Sequence, residues 1–131
     1  RYVVNRLLEA MNDLGKTLKN SKVLVLGVAY KPEIDDVRES PALDVIGLLR
    51  KKGALVEYHD PYIPHVHHEY DDWHMDSVKD MMKSVKEADA VVVVTDHKVY
   101  DYKTIIESAK FVFDSRNATG KLGKFANVER L

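Results

Sequence analysis

The sequence predicts an α/β protein: a three-layer sandwich with an open, mostly parallel sheet, preceded by one amphipathic helix. Three observations predict it. Short, almost wholly apolar runs recur at residues 22–27 (KVLVLG), 90–95 (AVVVVT) and 111–114 (FVFD), as expected of strands covered on both faces. Helix signals alternate with them from residue 22 onward, which is the pattern of parallel strands joined by crossover helices. The 131 residues, 45% hydrophobic and 31% charged, suit one domain with its own core.

The elements follow in order. Val4, Leu7, Leu8, Met11, Leu14 and Leu18 recur at helical spacing, with Asn5, Arg6, Glu9, Asn12 and Lys16 on the other face. They predict an amphipathic helix ending at Asn20-Ser21. Residues 22–27 form the first strand and residues 28–39 a loop of mixed charge. Ser40-Pro41 starts the next helix, because Ser caps and Pro suits the first helical position. Asp44 near its start and Arg50, Lys51 and Lys52 at its end complement the helix dipole. Gly53 stops it. Residues 55–59 make a second strand, ended by Asp60-Pro61. Residues 65–74 read as polar and irregular, and Ser77 as the cap of a third helix, with Asp80 as its capping-box partner. Residues 102–108 predict a short helix and residues 127–131 an edge strand. The whole is Rossmann-like. Ligands on such sheets bind beyond the carboxyl ends of the strands, so the loops after Gly27, His59, Thr95 and Asp114 are the ones to inspect.

Composition narrows the function. Twenty Lys and Arg against 21 Asp and Glu leave a net charge of -1, which argues against a broad nucleic-acid face but not against a local basic pocket. No apolar run approaches the ~20 residues that span a bilayer, so neither nucleic acid nor membrane is an expected partner. Cysteine is absent. That removes disulfides, thiolate metal ligands and any cysteine nucleophile, and it fits the cytoplasm. The chain opens on Arg1 rather than Met and reads as a piece of a longer protein.

The loop after the first strand reads Gly27-Val28-Ala29-Tyr30-Lys31-Pro32. Only the first glycine of a G-x-G-x-x-G pattern is present. Ala29 adds a methyl group and Pro32 lacks an N–H, so the standard NAD pyrophosphate cradle is missing. The loop offers Lys31 as a point charge for a phosphate and Arg38 as a bidentate grip on a phosphate or carboxylate. The competing reading is a solvated loop in which Arg38 pairs with Asp35 or Asp36. Arg116 follows Asp114-Ser115 at a strand end, facing either a ligand or Asp114 itself. Tyr30 and Tyr62 stand where they could stack on a base or ribose, or simply pack a rim; Tyr30 is preferred because it adjoins Lys31. His65, His67, His68 and His74 with Glu69, Asp71 and Asp72 show no H-E-x-x-H spacing. They read as an exposed loop, and no metal ligand is assigned.

Residues 27–32, then Asp35-Asp36-Val37-Arg38-Glu39-Ser40-Pro41-Ala42, with Asp60-Pro61-Tyr62 and Asp114-Ser115-Arg116-Asn117 in the same order, resemble the C-terminal domain of the UDP-glucose/GDP-mannose dehydrogenases. The wording around Val28-Ala29-Tyr30-Lys31 and Ile34-Asp35-Asp36-Val37 is most similar to the members acting on UDP-N-acetyl-hexosamines. The resemblance implies a parent in which an N-terminal domain binds NAD and a central helical domain carries dimer contacts and the catalytic cysteine. It implies that residues 1–20 are the end of a helix linking that central domain to a UDP-sugar-binding domain at residues 21–131. It further implies that Tyr30, Lys31 and Arg116 contact the UDP-sugar, that Arg38 reaches toward NAD, and that the parent is a homodimer or larger homo-oligomer. The parent would oxidise the C6 alcohol of a UDP-hexose to the uronate; this chain alone would be inactive. Two other readings stay open: a non-catalytic interaction module docking through the leading helix, and a metal-binding module using residues 65–74.

Overall fold

The computed structural model describes residues 2–29 and 40–131. Helix α1 (Tyr2–Asp13) leads to strand β1 (Lys22–Leu26), helix α2 (Pro41–Lys51) and strand β2 (Leu55–His59). Strands β3 (His65–His68) and β4 (Trp73–Asp76) come next, then helix α3 (Met81–Glu87) and strand β5 (Ala90–Val93). Helix α4 (Tyr102–Ser108), strand β6 (Val112–Asp114), a 3-10 turn at Gly120–Leu122 and strand β7 (Val128–Arg130) complete the order. Five strands form one sheet in the order β2-β1-β5-β6-β7, with every neighbouring pair parallel. This is the open parallel sheet the apolar runs predict, with β7 as the expected edge strand.

Alternation along the strands splits the core in two. Val23, Val25, Val92 and Phe113 pack on one face with Leu7 and Met11 of α1 and Ile46 and Leu49 of α2. Leu24, Leu26, Val91, Val93 and Val112 pack on the other with Val85 of α3 and Ile105 and Ile106 of α4. Each such buried side chain contributes about 1.5–3 kcal/mol, and the three layers follow from that two-sided burial. α2 begins as expected. The Ser40 hydroxyl accepts from Ala42 N–H, Pro41 opens the helix, and Gly53 follows its end at φ +88°. Among the described residues no helix is long and apolar enough to cross a membrane.

Three local expectations need correction. α1 stops at Asp13 rather than Asn20, because Gly15 takes φ +74° and its N–H, with those of Leu14 and Lys16, turns back to the last carbonyls of the helix. Leu18 is still buried, but from a loop, while Leu14 is exposed. Residues 65–74 are not irregular: β3 and β4 pair as an antiparallel hairpin. Finally, Ser77 does not cap α3. The cap is Asp80, whose carboxylate accepts from Lys83 N–H, while the Ser77 hydroxyl accepts from Asp60 N–H.

Candidate functional site

The chain leaves β1 for β2 on one side, and the sheet resumes at β5 on the other. The carboxyl ends of β1 and β5 therefore flank the topological switch point, where open α/β sheets bind ligands. Gly27 sits there at φ +89°, and a Cβ on it would lie 2.5 Å from Thr95 Cβ and 2.8 Å from Thr95 O. Only glycine lets the two strand ends come this close.

Asp60, at the end of β2, organises the loop from β1. Its Oδ2 accepts from the N–H groups of Val28 (2.8 Å) and Ala29 (3.1 Å) and faces His97 Nε2 at 3.0 Å. Its Oδ1 accepts from Tyr62 N–H at 2.8 Å. Asp60 and His97 are both buried, and the Tyr62 ring covers His97 with centroids 5.3 Å apart. The far foot of the loop is tied to the near one. Ser40 Oγ donates to Val28 O at 2.6 Å, and Thr95 Oγ1 donates to Ala29 O at 2.9 Å. Tyr30, Lys31 and Arg38 lie outside the described residues.

Beside Asp60, the Tyr100 hydroxyl donates to His59 O at 2.9 Å, so it accepts from His59 Nδ1–H at 3.0 Å. That fixes the neutral tautomer. Burial lowers the pKa of His59 below its ordinary value, partly offset by Asp60 and reinforced by His97. Burial, then the Asp60 charge, pushes the Tyr100 hydroxyl far above the usual phenol range. Both groups donate hydrogen bonds here, tying the end of β2 to the segment after β5.

Asp114 plays the matching part at the end of β6. Its carboxylate accepts from the N–H groups of Arg116, Ala118 and Thr119 and from the Thr119 hydroxyl at 2.6–3.1 Å. The cation near this carboxylate is Arg130 of β7, with Nε at 4.0 Å. Asn117 takes φ +57°, and its side chain fills the space where a Cβ on Gly120 would stand. Arg116 is thus carried out on a fixed turn. It is exposed, and its guanidinium makes no hydrogen bond or ion pair among the described residues. Ser115 anchors the turn to the switch point, its hydroxyl donating to Val93 O at 2.5 Å.

Sequence reasoning picked out the segments but missed Asp60, His97, Thr95 and Asp114 as the residues that shape them. Asp60-Pro61 and Asp114-Ser115 were visible as strand ends, but their partners lie up to 37 residues away. A hollow of about 500 Å³ lies elsewhere, lined by Lys22, Leu55 and Glu87 toward the amino ends of the strands, the side that ligands of parallel sheets do not use.

The sequence pattern described as "UDP-glucose/GDP-mannose dehydrogenase family, UDP binding domain" matches residues 24–121. The chain belongs to this family. The UDP-N-acetyl-D-mannosamine dehydrogenase of Methanococcus maripaludis is 32% identical over 126 residues, covering 88% of this chain and 27% of that protein. The UDP-glucose 6-dehydrogenase of Bacillus subtilis is 30% identical over 123 residues, covering 88% and 25%. The solved NDP-N-acetyl-D-galactosaminuronic acid dehydrogenase of Methanosarcina mazei matches with a TM-score of 0.74 at 28% identity, covering 99% of this chain and 28% of that one. The chain spans about a quarter of the length of these relatives.

Family membership raises the question of NAD, and the residues after β1 do not fit its pyrophosphate. The N–H groups of Val28 and Ala29, which would cradle a phosphate in a dinucleotide-binding turn, already donate to Asp60. The bare α-carbon of Gly27 is filled by Thr95. A buried carboxylate occupies the position where a phosphate would need donors.

Proposed function

We propose that this chain holds the nucleotide end of a UDP-sugar for an NAD-dependent UDP-sugar 6-dehydrogenase, which oxidises the C6 alcohol of a UDP-hexose to the uronate. The observation that carries the reading is the switch-point edge. There Asp60 and Asp114 fix two loops, and the Arg116 guanidinium is left without a partner among the described residues. Lys31 and Arg116 neutralise the diphosphate, Tyr30 contacts the nucleotide sugar, and Arg38 reaches toward NAD bound mainly by residues outside this chain. The sugar is a UDP-N-acetyl-hexosamine, and the parent is a homodimer or larger. Residues 1–20 are the segment that links the preceding part of the parent to the domain at residues 21–131, and its helix α1 (Tyr2–Asp13) docks its apolar face on that domain. That face is buried within this chain, which leaves little of it for a foreign partner.

With no cysteine in the chain and no pyrophosphate cradle, the isolated domain binds but does not oxidise. Calorimetric titration with UDP is expected to show one site in the chain or its parent. In the parent, Lys31→Ala and Arg116→Ala are expected to raise KM for the UDP-sugar, and UDP-N-acetyl-hexosamines are expected to outcompete UDP-glucose. Absence of UDP binding in both proteins, or unchanged KM in both variants, overturns the reading.

A further inference from the structure

The β3–β4 hairpin sorts its side chains by face. His67 lies directly opposite His74, and His65 directly opposite Asp76. Residues two apart share a face, so these four stand together on the outer side, with Asp72 from the turn beside them. The inner side carries Val66, His68, Trp73 and Met75. Val66 is buried, and Trp73 and Met75 pack against the core. Trp73 is held between the stacked His68 ring, at 5.2 Å, and the Arg50 guanidinium of α2, also at 5.2 Å. The outer cluster therefore rides on an anchored platform.

Its donor atoms converge. One ligand atom each of His67, Asp72 and His74 lies within 4.8 Å of the other two. His67 Nε2 is 2.8 Å from Asp72 Oδ1, and His74 Nε2 is 3.8 Å from it. Tetrahedral Zn²⁺ with bonds of about 2.0–2.1 Å sets its donors about 3.3 Å apart, midway between these distances. The other ring nitrogen of His74 is also accounted for. Asp76 Oδ1 meets His65 Nδ1 at 2.6 Å, and His65 Nε2 meets His74 Nδ1 at 3.1 Å. His65 donating to Asp76 leaves its Nε2 to accept from His74 Nδ1–H. That assigns the bare lone pair of His74 to Nε2, the nitrogen facing Asp72. Such a carboxylate–imidazole relay behind a ligand is how metal-binding histidines are oriented.

We propose that the outer face of this hairpin binds one borderline-soft divalent transition-metal ion, Zn²⁺ being the type case, through His67, Asp72 and His74, with His65 and Asp76 positioning His74. Two imidazoles and one carboxylate select Zn²⁺, Ni²⁺ or Cu²⁺ over Mg²⁺ and Ca²⁺. The His67 and His74 rings stack in parallel at 4.0 Å; the relay holds His74 in place, so binding turns His67 about its χ2 until its lone pair meets the ion. Both rings are exposed, which keeps that rotation cheap. Water completes the coordination.

The test uses the chain purified without a histidine-affinity tag and stripped with EDTA. Titration with zinc chloride followed by calorimetry is expected to give one saturable site, and Co²⁺ is expected to give the visible bands of a low-symmetry site. His67→Ala and Asp72→Asn should abolish the site. His65→Ala and Asp76→Asn should weaken it by about 10- to 100-fold, while the nearby exposed Glu69→Gln leaves it unchanged. All are surface changes, and circular dichroism checks that each variant is folded. Zinc binding equal in the wild type and in His67→Ala overturns the proposal. So does an equal response to Ca²⁺, or a loss of affinity in Glu69→Gln as large as in Asp72→Asn.

Discussion

Asp60 shows how one side chain can set the geometry of a binding edge. Four donors converge on its buried carboxylate: three backbone N–H groups and His97. A lone buried N–H costs about 1–3 kcal/mol, so removing the shared acceptor orphans several groups at once. Asp60→Ala is expected to destabilise the chain by about 3–5 kcal/mol and to weaken UDP binding in whatever fraction remains folded. Urea unfolding measures the first effect; a loss near that of an ordinary surface substitution would show that the hub is not needed. The role of Asp60 was not legible in the sequence, because its partners are brought to it only when β1, β2 and β5 are aligned. Arg116 was legible, since a residue just past a central strand must emerge at the carboxyl edge. What the sequence left open, whether Arg116 pairs with Asp114, is resolved by Arg130 taking up that position.

Among the elements, the apolar runs and the strand at Leu55–His59 were legible in the sequence, and the polar segment at residues 65–74 was not. β5, and β1 after its exposed first residue Lys22, are buried on both faces, so those residues are all aliphatic and announce themselves. β3 has one aliphatic residue in four, Val66, and its period-2 pattern emerges only when His68 is counted with Trp73 and Met75 as an inner-face residue. The start of α3 was misplaced for a related reason. Ser77 and Asp80 both suit a capping position, and their spacing alone favours Ser77. In the fold Ser77 is drawn to the Asp60 backbone, which leaves Asp80 to meet Lys83 N–H. Asp80→Ala is accordingly expected to cost about 1 kcal/mol through lost capping. Ser77→Ala should instead disturb the loop after β2 and leave α3 intact. Backbone amide exchange separates the two: the first variant should lose protection in the first turn of α3, the second around Asp60. Equal loss of protection at the α3 amides in both variants would restore Ser77 as a cap.

For the molecule as a whole, the same half-buried network makes stability depend on pH. His59 sits against Asp60, His97 and Tyr100, and burial, the largest influence on it, disfavours the imidazolium, so its folded pKa lies below 6.5. The unfolded chain takes up that proton more readily than the folded one. The contribution of neutral His59 is therefore complete above the ordinary imidazole value and is lost as pH falls from there through the lowered one. Asp89 acts in a separate, more acidic window. Its carboxylate accepts from Lys22 N–H at 2.8 Å and pairs with Lys16 at 3.5 Å, tying the start of β5 to β1. That backbone hydrogen bond, chiefly, holds its pKa below 3.8. Its contribution is present above the usual carboxylate range and disappears as pH falls through the depressed value. Thermal melts from neutral to strongly acidic pH are expected to show two descending steps. His59→Gln should keep a donor toward Tyr100 and flatten the first step only, and Asp89→Asn should shrink the second only, the remainder coming from Asp101, whose carboxyl the Thr104 hydrogen bonds likewise hold low. A first step of undiminished size in His59→Gln would move its origin to another group.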